Sequence, residues 1–206
     1  LCDRRQRQMC IRDRVKARNI ENEISKLQQE SGYPYIVNVD TANRENPIYG
    51  KIVMSNLCSE IMQVQTPSVI DNKQNYTKLG TDISCNLGST NIVNMMQTPH
   101  FGKSVETMVR ALTFVTDHSD IDVVPSIQNG NALAHTIGLG AMGLHGYLAK
   151  NHLYYGEADS IEFTSVYFML LNSWTLKASN QIAKEKNQVF HNFDKSKYAC
   201  LLYTSP

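Results

Sequence analysis

The sequence has no long hydrophobic run, and it has few cysteines. Among its 206 residues, no apolar stretch approaches the roughly 18 residues that a membrane-spanning helix needs. No signal peptide is expected, because the first residues are rich in arginine and never become apolar. We therefore expect a soluble, cytosolic protein. An apolar fraction of 42% with 19% charged residues excludes a disordered chain and favours a globular one.

The two ends lack the periodicity of the remaining sequence. Residues 1–14 and 200–206 resemble sequencing-adapter DNA translated in an open reading frame, and the first of these segments carries an excess of arginine. We predict that both are non-native segments that pack poorly and contribute no site, and that residues 15–199 form the domain. Without its ends the chain is nearly neutral, so nothing indicates a nucleic-acid groove.

Only two cysteines, Cys58 and Cys85, lie within residues 15–199. So few cysteines argue against a disulfide framework and raise the question of reactive thiols. Neither has a partner in C-x-x-C spacing, and the histidines show no ligand pattern, so we predict no metal site.

The first half of the chain suggests helix, strand and loop in turn. Helical spacing of apolar residues covers residues 15–30 and stops at Gly32. Further along, the composition predicts a buried strand at Tyr33–Val39, a loop at 40–50, an extended segment at 51–61, and a strand at 81–93 that breaks at Gly88.

The second half is mostly helical in pattern. Ser104 is a plausible N-cap for a helix with one apolar stripe, made by Val105, Met108, Val109, Leu112 and Val115. The pair Asn129-Gly130 predicts a turn. Residues 135–150 suggest a short strand, a glycine turn and a helix, and a long amphipathic helix is predicted from about 159 to 186. Such alternation indicates an α/β fold with parallel neighbouring strands.

A glycine motif resembles the dinucleotide fingerprint. Gly138, Gly140 and Gly143 spell G-x-G-x-x-G, but the fingerprint also requires an acidic residue that ends the next strand. At that distance lie Glu157 and Asp159, where a helix is predicted to begin. We therefore interpret the glycines as close packing at a turn.

The segment Asn56-Leu57-Cys58-Ser59-Glu60 is a stronger candidate for a catalytic site than the glycine motif. In an extended chain the side chains of Asn56, Cys58 and Glu60 would share one face. A thiol beside a carboxylate and an amide is a reactive arrangement. By pattern alone, a buried structural cysteine remains the commoner interpretation, because a lone cysteine among apolar residues usually packs as a small hydrophobe.

Longer blocks resemble one family, the large subunits of ribonucleotide reductase. SNLCSEI resembles its radical-cysteine motif, and DISCNLGSTNIVNM resembles the strand that carries one of two reducing cysteines. SGYPYIVNVDTANRENPI and IGLGAMGLHGYLAK also look like family segments, and the likeness covers about residues 16–199. The 27-residue step from Cys58 to Cys85 is most similar to the class Ib branch. The resemblance implies part of a ten-stranded α/β barrel with the radical cysteine on a finger loop.

The resemblance also implies roles for these residues. Cys58 would form the thiyl radical, Glu60 would be the general base, and Asn56 would bind the ribose hydroxyls. Leu57 and Ser59 would contact the substrate through their backbone. Cys85 would be a redox-active thiol whose partner cysteine lies outside this chain.

The activity implied is reduction of ribonucleoside diphosphates to deoxyribonucleotides for DNA synthesis, with this chain inactive alone. We expect no cofactor in the chain itself. The dimetal-tyrosyl radical would sit in a small partner subunit, a glutaredoxin- or thioredoxin-like protein would be the reductant, and the full-length family binds ATP or dNTP effectors and forms homodimers. Two alternatives stay open: a cobalamin-dependent reductase and a non-catalytic α/β domain.

Overall fold

The computed structural model describes residues 15–199. The predictions for residues 1–14 and 200–206 therefore lie outside the described residues. Contacts divide the chain after Asn38 into two units. No helix within residues 15–199 is long and apolar enough to cross a membrane.

The first unit contains one helix, α1 (Ala17–Ser31), close to the predicted bounds. Gly32 ends it in the left-handed conformation with φ 78°, and its amide donates to the carbonyl oxygen of Gln28. Glycine adopts this conformation without the steric cost of a Cβ atom, so the predicted stop is confirmed. No residue of α1 is buried.

The predicted buried strand at Tyr33–Val39 is wrong. Residues 33–38 form no strand, and Tyr33, Tyr35 and Ile36 are all exposed. Their β-branched and aromatic composition fits a pleated surface only where a neighbouring strand pairs with it. Pro34 in addition has no N–H to donate to a strand ladder.

The second unit begins with a helix where a loop was predicted. Helix α2 (Val39–Glu45) carries Asp40 in its first turn and Arg44 in its last turn, the charge order that a helix dipole favours. Further on, β1 (Val69–Ile70) and β2 (Tyr76–Lys78) pair antiparallel. The intervening turn is held by Asp71, whose carboxylate accepts bonds from the amides of Lys73 and Asn75.

A parallel strand pair organises the rest of this unit. Strands β3 (Leu87–Asn91) and β4 (Gly138–Met142) pair in register from Leu87 with Gly138 to Asn91 with Met142. The helices between them are α3 (Ile92–Gln97), α4 (Phe101–His118) and α5 (Pro125–Ala134). After β4 come α6 (Leu144–Lys150), α7 (Ala158–Lys186) and a 3-10 turn at Phe193–Lys195. The predicted α/β alternation with parallel neighbours is confirmed.

Two glycines serve close packing where the sequence suggested interruptions. Gly88 lies inside β3, and a Cβ atom there would lie 2.9 Å from Cε of Met108 on α4. Gly130 lies inside α5, and its Cβ atom would lie 2.0 Å from the carbonyl oxygen of Asp82. The predicted strand break and turn are wrong because both glycines admit a neighbour instead of redirecting the chain.

The core lies where α4 and α7 pack near the β3–α3 junction. Its buried members are Ile92, Met95, Val105, Val109, Tyr167, Leu171, Ala178 and Ile182. In the predicted stripe of α4, Leu112 is also buried, whereas Val115 is exposed. Helix α4 begins at Phe101, so Ser104 lies in its first turn and is not the N-cap.

The glycine motif forms a strand, a turn and a helix, as predicted. Gly138 and Gly140 lie in β4, and Gly143 has φ 81° immediately before α6. Glu157 and Asp159 lie at the start of α7, so neither ends a strand. A Cβ atom at Gly138 would lie 2.4 Å from the side chain of Leu87, which agrees with close packing at this motif.

Candidate active site

The segment that carries Cys58 is a loop, residues 51–65, here called the finger loop. Its base is held by Asn43 of α2, whose side-chain amide both accepts from the amide of Ile52 and donates to its carbonyl oxygen, each at 2.8 Å. Ile52 is only 1% exposed. Two further bonds cross the base, from the amide of Gln65 to the carbonyl oxygen of Lys51 and from the amide of Met54 to the side chain of Gln65.

The tip of the finger loop is closed by the Asn56 side chain. Its Oδ1 atom accepts a bond from the amide of Ile61 at 3.0 Å. The Ser55 hydroxyl lies 3.1 Å from the same Oδ1 atom and 2.8 Å from the Ile61 carbonyl oxygen. The Ser59 amide donates to the Asn56 carbonyl oxygen, and Ser59 has φ 62°. Residues 57–59 therefore form a turn.

This turn contradicts the extended geometry predicted for the segment. The alternation of side chains with period two does not run from Asn56 through Cys58 to Glu60, because the backbone reverses between them. The assignment of these three residues as site residues thus stays a prediction that rests on the resemblance. At the turn, Cys58 and Glu60 are exposed, Leu57 is 86% exposed, and Ser59 is partly buried.

The tip meets the segment that precedes β3. The Asn56 Nδ2 atom donates to the Cys85 Sγ atom at 3.0 Å, although the two residues lie 29 positions apart. Because the Asn56 Oδ1 atom accepts from the Ile61 amide, which can only donate, the orientation of the Asn56 amide is fixed with its NH2 group towards Cys85. Both Cys58 and Cys85 are free thiols and are exposed.

The two neighbours of Cys85 point away from the tip into a polar network. The Ser84 hydroxyl and the Asn86 Nδ2 atom both donate to the Oδ1 atom of Asn131, at 2.9 and 3.1 Å. Asn86 also donates to the Thr116 hydroxyl at 2.9 Å, and Asn131 donates to the Thr116 carbonyl oxygen at 2.7 Å.

Asn86, Thr116 and Asn131 were not among the site residues predicted from the sequence. One signal was available, because two polar residues that flank a cysteine at period two imply that the cysteine faces the other way. No pattern in the sequence pairs residues 84 and 86 with a helix that lies 45 positions further on. Within residues 15–199, no group of three histidine, cysteine, aspartate or glutamate side chains could hold a metal ion.

Comparison with known proteins places this fold in one family. The family model "Ribonucleotide reductase, barrel domain" matches residues 2–204. Among solved structures, the Actinobacillus ureae class Id ribonucleotide reductase alpha subunit superimposes with a TM-score of 0.66 at 24% identity, over 81% of this chain and 32% of that one. The fold is therefore part of an α/β barrel.

Curated sequences give the same result at higher identity. Over 90% of this chain, the sequence is 45% identical to the ribonucleoside-diphosphate reductase subunit alpha of Mycoplasma pneumoniae. Over 91% of this chain, it is 37% identical to the corresponding subunit of Bacillus subtilis. It belongs to the ribonucleotide reductase family. It spans about a quarter of the length of these relatives, 26% and 27%.

Proposed function

We propose that this chain carries the chemical centre of a class Ib ribonucleoside-diphosphate reductase, a cytoplasmic enzyme. The observation that supports this most directly is the 3.0 Å contact between Asn56 Nδ2 and Cys85 Sγ. It brings the loop of the proposed radical cysteine to the proposed reducing cysteine, in a chain of this family. The 27-residue step from Cys58 to Cys85 supports the class.

Residues of the finger loop carry out the first half of the reaction. Cys58, as a thiyl radical, abstracts the 3′-hydrogen of the ribose, which is feasible because S–H and activated C–H bonds have similar strengths. Glu60 takes the proton of the 3′-hydroxyl, and proton transfer from a positioned side chain contributes about 10²–10⁴-fold to a rate. Asn56 has one N–H group directed at Cys85 and a second with which to hold a ribose hydroxyl. Leu57 and Ser59 contribute backbone contacts.

The second half requires two thiols. The 2′-oxygen leaves as water, and Cys85 together with a cysteine outside this chain supplies two electrons and two protons while the pair closes to a disulfide. Cys58 then returns its hydrogen to the 3′-carbon.

The radical and the reducing equivalents come from other proteins. A small partner subunit with a dimetal-tyrosyl radical supplies the radical, and a glutaredoxin- or thioredoxin-like protein reopens the disulfide. In the full-length protein we also expect a homodimer of large subunits and binding of ATP or dNTP effectors.

The alternatives receive less support. A non-catalytic domain would be favoured by a Cys58 packed among apolar side chains, whereas Cys58 is exposed at the loop tip. A cobalamin-dependent reductase would generate its radical within one chain, so a requirement for a separate radical subunit distinguishes it.

The decisive experiment uses the full-length reductase that contains this segment. Cys58→Ser, assayed with the radical-generating subunit, should form no deoxynucleotide, because a hydroxyl hydrogen is bound too strongly for a radical relay. Unchanged thermal unfolding and subunit binding serve as controls. Cys85→Ser should still consume the partner's radical when substrate is added but should lose normal reduction. Product from Cys58→Ser at a rate near wild type would overturn the assignment.

A further inference from the structure

We infer that Asn131 is a positioning residue for the Cys85 thiol, an inference that rests on the role proposed for Cys85. The Ser84 hydroxyl and the Asn86 amide flank this cysteine, and both donate to the same Asn131 Oδ1 atom. The side chains on both sides of Cys85 thus converge on one atom, which fixes the backbone on either side of the cysteine. The Cys85 thiol itself meets Asn56, at the tip of the finger loop.

The orientation of the Asn131 amide is fixed by its surroundings. Its Oδ1 atom accepts two bonds, and its Nδ2 atom donates to the carbonyl oxygen of Thr116 at 2.7 Å. A flipped amide would turn its NH2 group towards the Asn86 NH2 group and its oxygen towards the Thr116 carbonyl oxygen. Asn131 is 4% exposed and Thr116 is 3% exposed, so water offers no substitute partner.

Helix α5 is in close backbone contact with the segment before Cys85. At Gly130 a Cβ atom would lie 2.0 Å from the Asp82 carbonyl oxygen, so the helix and the segment are in close backbone contact one residue before Asn131. The Asp82 amide also donates to the carbonyl oxygen of Ser126, the second residue of α5. The segment that carries Cys85 is therefore held by contacts with helix α5 as well as by its contact with the finger loop.

Asn129 provides a matched control on the same helix. Its Nδ2 atom donates to the Gly80 carbonyl oxygen at 2.8 Å, so it also ties α5 to the segment before β3. It makes no bond to either neighbour of Cys85 among those described. If substitution acted only by loosening α5, replacing Asn129 or Asn131 should reduce activity equally. If Asn131 positions Cys85, only its replacement should do so.

The first test measures kinetics in the full-length enzyme with its radical subunit. A misplacement of about 1 Å can cost roughly 100-fold in rate, so Asn131→Leu should lower kcat by about 10- to 100-fold with KM within about twofold. Loss of the partner's radical on addition of substrate, the behaviour expected of Cys85→Ser, should also appear in Asn131→Leu, since radical initiation does not use Cys85 whereas the reduction step does. Ser84→Ala, which removes one of the two bonds and little volume, should lower kcat less. Asn129→Leu should stay within about twofold of wild type.

The second test is independent of activity. With Cys58 and the cysteine proposed to pair with Cys85 both replaced by serine throughout, Asn56→Cys should form a disulfide with Cys85 under mild oxidation, and Asn131→Leu should slow its formation by about tenfold or more, as expected for a misplaced reacting group. Equal trapping rates with and without Asn131→Leu, or equal slowing by Asn129→Leu, would overturn the inference. If Asn131→Leu does not fold, the trapping rates with and without Ser84→Ala test the inference instead. Wild-type turnover by Cys85→Ser would remove the proposed role of Cys85, while the trapping rates would still decide whether Asn131 positions it.

Discussion

The helical core and the finger loop are held together by different physical means. Between α4 and α7, apolar side chains such as Val109 and Leu171 are buried with few directional requirements. The finger loop is held instead by hydrogen bonds between the side-chain amides of Asn43 (on α2), Asn56 and Gln65 and backbone groups of the loop. Apolar burial stabilises in proportion to area, whereas each hydrogen bond specifies a direction. The core should therefore govern stability, and the loop should govern the placement of reacting groups.

The largest expected change in stability lies in the core. Leu171→Ala should lower the free energy of unfolding by about 2–5 kcal/mol, through lost burial and the cavity that remains. Leu171→Met conserves volume and should cost less than about 1.5 kcal/mol. Denaturant unfolding of the full-length protein measures both. A kcat of the folded Leu171→Ala protein far below that of wild type would contradict the claim that the core governs stability and the finger loop governs turnover.

A smaller change in stability with a larger effect on turnover is expected at the base of the finger loop. Asn43→Ala leaves the amide and the carbonyl of the buried Ile52 without their side-chain partner, a cost of about 1–3 kcal/mol for an unsatisfied group. Turnover should fall because the loop loses its anchor. Asn46→Ala is the control, since Asn46 makes similar bonds to Ile48 outside the loop. Equal turnover in the two variants would contradict an anchoring role.

The smallest effect concerns an exposed ion pair between α4 and α7. Arg110 donates two bonds to the Glu185 carboxylate, at 2.6 and 2.8 Å, and they lower the pKa of Glu185 to about 2 from its ordinary 4.5. A depressed carboxyl pKa contributes stability that is fully present above about pH 4.5 and is lost as the pH falls through about 2.

Thermal unfolding of Glu185→Gln against pH tests this contribution. The gap in Tm between wild type and variant should be constant above about pH 4.5 and should close towards pH 2. Glu162→Gln, an exposed position on the same helix, should show no such gap. Because exposed pairs are screened, added salt should narrow the gap for Glu185→Gln.

Sequence reasoning succeeded where local periodicity alone decides the structure. Helices α1 and α7 and the β4–turn–α6 unit have repeated apolar spacing or a glycine stop, and each was predicted with nearly its observed bounds. It failed at Tyr33–Val39 and at Asn129-Gly130, because a partner strand and a close backbone contact are properties of the packed chain.

The candidate site divides in the same way. Cys58 and Cys85 were predicted by resemblance, and the structure brings the tip of the finger loop to Cys85 through Asn56. The turn at residues 57–59 was missed, because Ser59 at φ 62° has no signature comparable to that of a glycine. Asn131 was missed because its partners lie far away in sequence.

The closed bonding of the finger loop restricts the number of its residues as well as their identity. Lys51 is bonded to Gln65 at the base, and Asn56 to Ile61 at the tip. One extra residue on either arm would shift one pair against the other, so that a donor faces a donor or a polar group loses its partner. Most surface loops tolerate insertions, but insertions and deletions in the finger loop should not be tolerated. Among related proteins, the spacing from residue 51 to residue 65 should vary less than the residues that fill it.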